Sequence, residues 1–84
     1  MKKNLGIQIV VIDNGFVHVG DCVLADGMLT ISNCSNIRRW GTTKGLGQLV
    51  GGPLNDTIAD PCGTVLVPIN RVVFFLNVVK GWNV

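Results

Sequence analysis

Turn-forming residues punctuate this chain about every ten positions, a rhythm that limits it to short strands. The punctuation is Asp13-Asn14-Gly15, Asp26-Gly27, Gly51-Gly52-Pro53 and Asp60-Pro61. Residues 7–12 read as a first strand, and a turn of residues that tolerate positive φ lets residues 16–24 return as the second arm of a hairpin. After Asp26-Gly27, residues 28–33 form a third strand in which Leu29 and Ile31 alternate with Thr30 and Ser32. Residues 36–40 extend a strand. Thr42 or Thr43 then caps a short helix around 43–50 that Gly51-Gly52-Pro53 terminates, although Gly45 and Gly47 each weaken it by about 1 kcal/mol relative to Ala. Residues 54–63 read as loop with a turn at Asp60-Pro61. Residues 64–67 form a short strand that Pro68 either ends or confines to a sheet edge, and residues 71–79 form the last strand. The fold expected is mainly β: a single domain over 1–84, built as a small partly open barrel or curled antiparallel sheet of about five strands with one short helix.

The last strand is apolar on both faces. Val73, Phe75 and Val79 point one way and Val72, Phe74, Leu76 and Val78 the other, whereas a sheet with one wet face alternates apolar with polar. With 48% hydrophobic and only 14% charged residues in 84, few side chains remain to coat the outside of so small a domain. A homo-oligomer that covers the second face follows as the expectation, each buried side chain contributing roughly 1.5–3 kcal/mol before association costs. The longest apolar run, residues 72–79, contains Asn77 and falls far short of the roughly 20 residues of a membrane-spanning helix. The apolar run at residues 7–12 is too short for a signal segment, so a soluble, cytoplasmic protein with no membrane partner is expected.

Few residues can do chemistry. There is no Glu, one His and five Asp, three of which stand beside Gly or Asn in turns. Cys22, Cys34 and Cys62 match no C-x-x-C metal pair and read as free thiols in a reducing compartment. His18 shares a strand face with Phe16, Cys22 and Leu24, as a structural imidazole would, while pairing with Cys22 or Cys34 is the one route to nucleophilic catalysis. No catalytic residue, metal ligand or cofactor is assigned. A net charge of +2 argues against binding duplex DNA, yet Arg38, Arg39 and Lys44 form a local basic cluster. In the segment Arg38-Arg39-Trp40-Gly41-Thr42-Thr43-Lys44-Gly45, cations pair with phosphate and glycines let backbone N–H groups approach an anion. The Thr hydroxyls add donors, and Trp40 either stacks on a base or packs as core. The segment matches neither the Walker loop nor the dinucleotide fingerprint. Trp82, after Gly81, reads equally as a frayed tail or an anchor on a neighbouring subunit.

The order of a β-meander, Asn36-Ile37-Arg38-Arg39-Trp40, a Leu46-x-x-Leu49 turn, Asp60-Pro61-Cys62-Gly63 and a closing apolar strand resembles short uncharacterised β-rich phage and prophage proteins. The specific part is residues 37–49. The resemblance implies no catalytic residues. It implies instead either an anti-defence protein that oligomerises in the host cytoplasm and sequesters a nucleotide immune signal, or a structural or host-interaction module with no small ligand. The first is the function expected here, non-enzymatic, with residues 38–45 holding a phosphorylated nucleotide-like ligand.

Overall fold

A computed structural model describes residues 2–82. Five antiparallel strands make one sheet: β1 (Lys2–Ile12), β2 (Val17–Ala25), β3 (Met28–Arg39), β4 (Ile58–Pro68) and β5 (Val72–Asn77). Their order is β4-β3-β2-β1-β5, so β4 and β5 are both free edges and the sheet does not close into a barrel. The two tight turns follow from sequence. Ile12 N–H donates to Phe16 O at 3.0 Å across Asp13-Asn14-Gly15. Asp26 and Gly27 both take positive φ, 53° and 76°, as a two-residue hairpin turn matched to strand twist requires.

Register assigns the side chains to faces, because residues directly opposite one another project the same way. Ile9 stands opposite Val19 and Leu76, and this face holds a core of Ile9, Val17, Val19, Ile37, Leu46 and Leu49. A 3-10 helix, Leu46–Gly51, supplies the last two of these and lids the face. On the other face, Val10 stands opposite His18 and Phe75. Among the described residues, no helix residue belongs to the cluster on that side, although a three-residue 3-10 turn, Ile69–Arg71, links β4 to β5. Instead Val67 of β4 joins Val10, Cys22, Leu29, Ile31 and Cys34 in one buried cluster, against which Val65 of β4 and Val72 and Phe75 of β5 pack. Side chains from both edge strands meet in it, so the sheet curls on itself and covers Val72 and Phe75 from within one chain, where the sequence pattern assigns the second face of the last strand to a neighbouring subunit.

Several expectations are corrected. The helix expected around 43–50 is a six-residue 3-10 helix at Leu46–Gly51, with Gly45 rather than a threonine preceding it and no side chain capping it. The glycines around and within it explain the short form, since they disfavour a regular α-helix. The stretch 54–63 is not all loop: β4 begins at Ile58, and Asp60-Pro61 lies inside it. β3 is twelve residues long and offers a partner that far, and Pro61 is tolerated because β4 is an edge. The last strand stops at Asn77, and a bulge between the pairs Val11–Phe74 and Ile12–Val72 places Val72 and Phe75 on the same face, breaking the strict alternation. Trp82 anchors its own chain: its Nε1–H donates to Leu49 O at 2.6 Å and its ring packs on the lidded core.

Candidate functional site

The basic segment leaves β3 and runs over the surface to the 3-10 helix. Arg38 is not free: its Nε donates to Asp60 Oδ2 at 2.8 Å, an exposed pair that raises the affinity of the guanidinium for its proton. Strand pairing between β3 and β4 brings that carboxylate in, from 22 positions away. Among the described residues, Arg39 and Lys44 have no ion pair, and both are exposed. Trp40 is 41% exposed, so its ring is not core. Its carbonyl accepts a hydrogen bond from Thr57 Oγ1 at 2.7 Å, which fixes the start of the loop. Gly41, at φ 66°, lies so close to Asp56 that a Cβ would stand 2.4 Å from the Asp56 carbonyl carbon; this glycine serves close packing of two loop backbones. Beyond it, the N–H groups of Thr43 and Lys44 both donate to Gln48 Oε1, each at 2.8 Å. Two adjacent amides thus converge on one oxygen. Thr42 is half-buried and Gly45, at φ 97°, has open space beside it.

A second constellation lies on the unlidded face of the sheet, where β2, β3 and β4 run side by side. Cys34 Sγ is 3.6 Å from His18 Nδ1, and the Cys62 thiol donates to Cys34 O at 3.4 Å. Sγ of both cysteines and one ring nitrogen of His18 all lie within 4.8 Å of one another. Bulges make this possible. Asn33, at φ 50°, is extra in β3 and turns Cys34 to the face of His18, and Cys62 is the extra residue of β4 between the pairs Cys34–Gly63 and Ser35–Pro61. Burial and the neighbouring Cys62 push the Cys34 thiol far up, and burial lowers the proton affinity of His18. An activated nucleophile needs the opposite, a thiol pushed down beside a cationic partner. Cys22 is not part of the group: its thiol donates to Gly20 O at 3.5 Å, and burial, with Asp21 nearby, pushes it up to about 11.

A cleft of about 430 Å³ opens elsewhere, between β1, β2 and β5, lined by Lys3, Leu5, Gln8, Leu24, Phe75 and Asn77 among others. Gln8, nearly buried, is satisfied there by its own chain, donating to Leu5 O at 2.7 Å and to Asn77 Oδ1. None of residues 38–45 lines this cleft.

Of the residues singled out from sequence, Arg39 ends β3, Trp40 and Lys44 lie exposed on the connection that follows it, and Arg38 is diverted to Asp60. The conceivable pairing of His18 with Cys34 is realised in space, and that with Cys22 is not. Cys62 was missed as a neighbour of both, because its 28-residue separation from Cys34 carries no short-range signal. Among the described residues, no helix is long and apolar enough to cross a membrane. No protein-family model, no curated protein and no solved structure matches this chain.

Proposed function

We propose that this chain is a non-enzymatic, self-associating binding protein whose segment 38–45 takes a phosphorylated, nucleotide-like ligand, sequestering it in the manner its resemblance to small phage proteins implies. The observation that supports it is the convergence of the Thr43 and Lys44 N–H groups on a single oxygen, that of Gln48, in a segment whose exposed Arg39 and Lys44 have no ion pair among the described residues. A phosphate oxygen presents the same acceptor with more charge, and charged acceptors make roughly twice as strong a bond to such donors as neutral ones. In this reading it displaces the Gln48 amide, Arg39 and Lys44 pair with the phosphate, and Trp40 stacks on the ring. Self-association is favoured by β5. Edge strands are usually blunted by charge or proline, and β4 carries Pro61 and Pro68, but Val72–Asn77 has neither, and Val73 is 59% and Phe74 43% exposed. A second copy against that edge covers apolar surface.

The test is native mass spectrometry of the purified protein, then calorimetric titration with ATP and with inorganic pyrophosphate. A multimer that binds at fixed stoichiometry is expected, with Val73→Lys shifting it toward monomer and Arg39→Ala combined with Lys44→Ala abolishing binding at unchanged melting temperature. A monomer, or undiminished binding in the double variant, refutes the reading. One observation favours a second reading, a structural or host-interaction module with no small ligand: the basic loop lies on the surface and does not line the cleft. A clean multimer that binds neither probe selects it.

A further inference from the structure

We propose that His18, Cys34 and Cys62 form a binding site for one zinc ion per chain. Three donors of the types zinc prefers, an imidazole and two thiols, come from three adjacent strands, with ligand atoms all within 4.8 Å of one another. Zinc–sulfur and zinc–nitrogen bonds of about 2.3 and 2.0–2.1 Å at tetrahedral angles place sulfur and nitrogen about 3.6 Å apart. Cys34 Sγ and His18 Nδ1 stand 3.6 Å apart already. Only a small movement of Cys62, the exposed member, closes the set around an ion.

The chemistry of the donors selects the ion. Two thiols and an imidazole without a carboxylate are soft, which disfavours magnesium, calcium and manganese. On binding, Cys34 and Cys62 each release a proton to solvent, and the two thiolates cancel the two charges of the ion. A neutral complex is what a partly buried site tolerates, because an uncompensated charge there costs several kcal/mol. The two bulges are the second observation, since each re-aims a cysteine toward His18 at a cost in ladder hydrogen bonds, and bulges that re-aim side chains concentrate at functional sites. Exposed Cys62 gives the ion an entry path. Three protein ligands leave the fourth tetrahedral position for water or an incoming group.

The experiment uses the full chain, kept reduced and stripped with a chelator, then titrated with cobalt(II) as a spectroscopic stand-in and back-titrated with zinc. Expected are one equivalent of cobalt per chain, the visible bands of tetrahedral cobalt with near-ultraviolet thiolate-to-cobalt charge transfer, and displacement by zinc. Cys62→Ser, at an exposed position that leaves the fold intact, weakens binding at least about tenfold and diminishes the charge-transfer band, and His18→Gln weakens it similarly. No tetrahedral spectrum in the reduced wild type, or equal binding by Cys62→Ser, overturns the proposal. So does a Cys34–Cys62 disulfide that resists reduction, since it leaves no thiolate to bind.

Discussion

Two glycines of this chain should respond in opposite directions to the same added methyl group, and the contrast tests the packing described above. At Gly20, in β2, a Cβ would stand 2.5 Å from Ile31 Cγ2 and 2.8 Å from Ser32 O. Carbon atoms in good contact are about 3.5–4.0 Å apart, so both atoms must retreat by most of an ångström. Ile31 is fully buried and has little room to turn, and Ser32 O belongs to the backbone at the start of the β3 bulge. Overpacking of this kind costs about 1–3 kcal/mol, and the backbone clash puts Gly20→Ala at the upper end, about 2–3 kcal/mol. For a domain of this size that lowers Tm by roughly 8–24 °C. At Gly47, in the 3-10 helix, nothing lies within 4 Å of the same Cβ and φ is not in the left-handed region. Gly47→Ala should therefore stabilise by about 0.4–1 kcal/mol, because it restricts only the unfolded chain. Urea unfolding of both variants and wild type at one protein concentration measures this, the fixed concentration keeping any contribution from association the same for all three. A Gly20→Ala change under about 0.5 kcal/mol would refute the close approach of β2 to the β3 bulge, and a destabilised Gly47→Ala would refute the open surface of the helix.

Two further outcomes follow from the cores and from a buried thiol. Leu49 is fully buried beneath the lid, so Leu49→Ala should cost about 2–5 kcal/mol by denaturant unfolding, and a loss under 1 kcal/mol would mean that the 3-10 helix does not lid the sheet. Cys22 is neutral in the fold with its thiol pushed up to about 11, whereas the unfolded thiol ionises near 9. Only the unfolded state loses that proton between these values, so the contribution of Cys22 leaves stability unaffected below pH 9 and lowers it as pH rises toward 11, in addition to any decline from Cys34. The loss is on the order of 2–3 kcal/mol. Cys22→Ala should flatten that alkaline decline relative to wild type in urea midpoints measured from pH 8 to 11, and an unchanged slope would show that Cys22 is not its source.

The sequence by itself determined the strand rhythm, the two hairpin turns and a mainly β fold of about five antiparallel strands, leaving open whether they form a partly open barrel or a curled sheet. Those are local or additive properties: Asp26-Gly27 needs only its own φ preference, and an apolar residue at nearly every position of 72–79 requires cover, which the sequence pattern assigns to another subunit and the fold supplies in part from the same chain. It also limited the strand carrying Pro68 either to ending there or to lying at an edge, because a missing N–H restricts a strand wherever it lies, and the fold does both. What only the tertiary structure decided depends on one strand meeting another. The start of β4 at Ile58 was illegible because its stretch has the composition of a loop and becomes strand only by pairing with the far end of β3. Arg38 looked free because Asp60 is 22 positions away in sequence, and the ladder between β3 and β4 puts them 2.8 Å apart. Trp82 reaches the Leu49 carbonyl from 33 positions away, and no local pattern encodes that bond. The cluster of His18, Cys34 and Cys62 is the clearest case. A strict two-residue period cannot foresee a bulge, and it is the extra residue Asn33 in β3, with Cys62 itself extra in β4, that turns three separate residues toward one point.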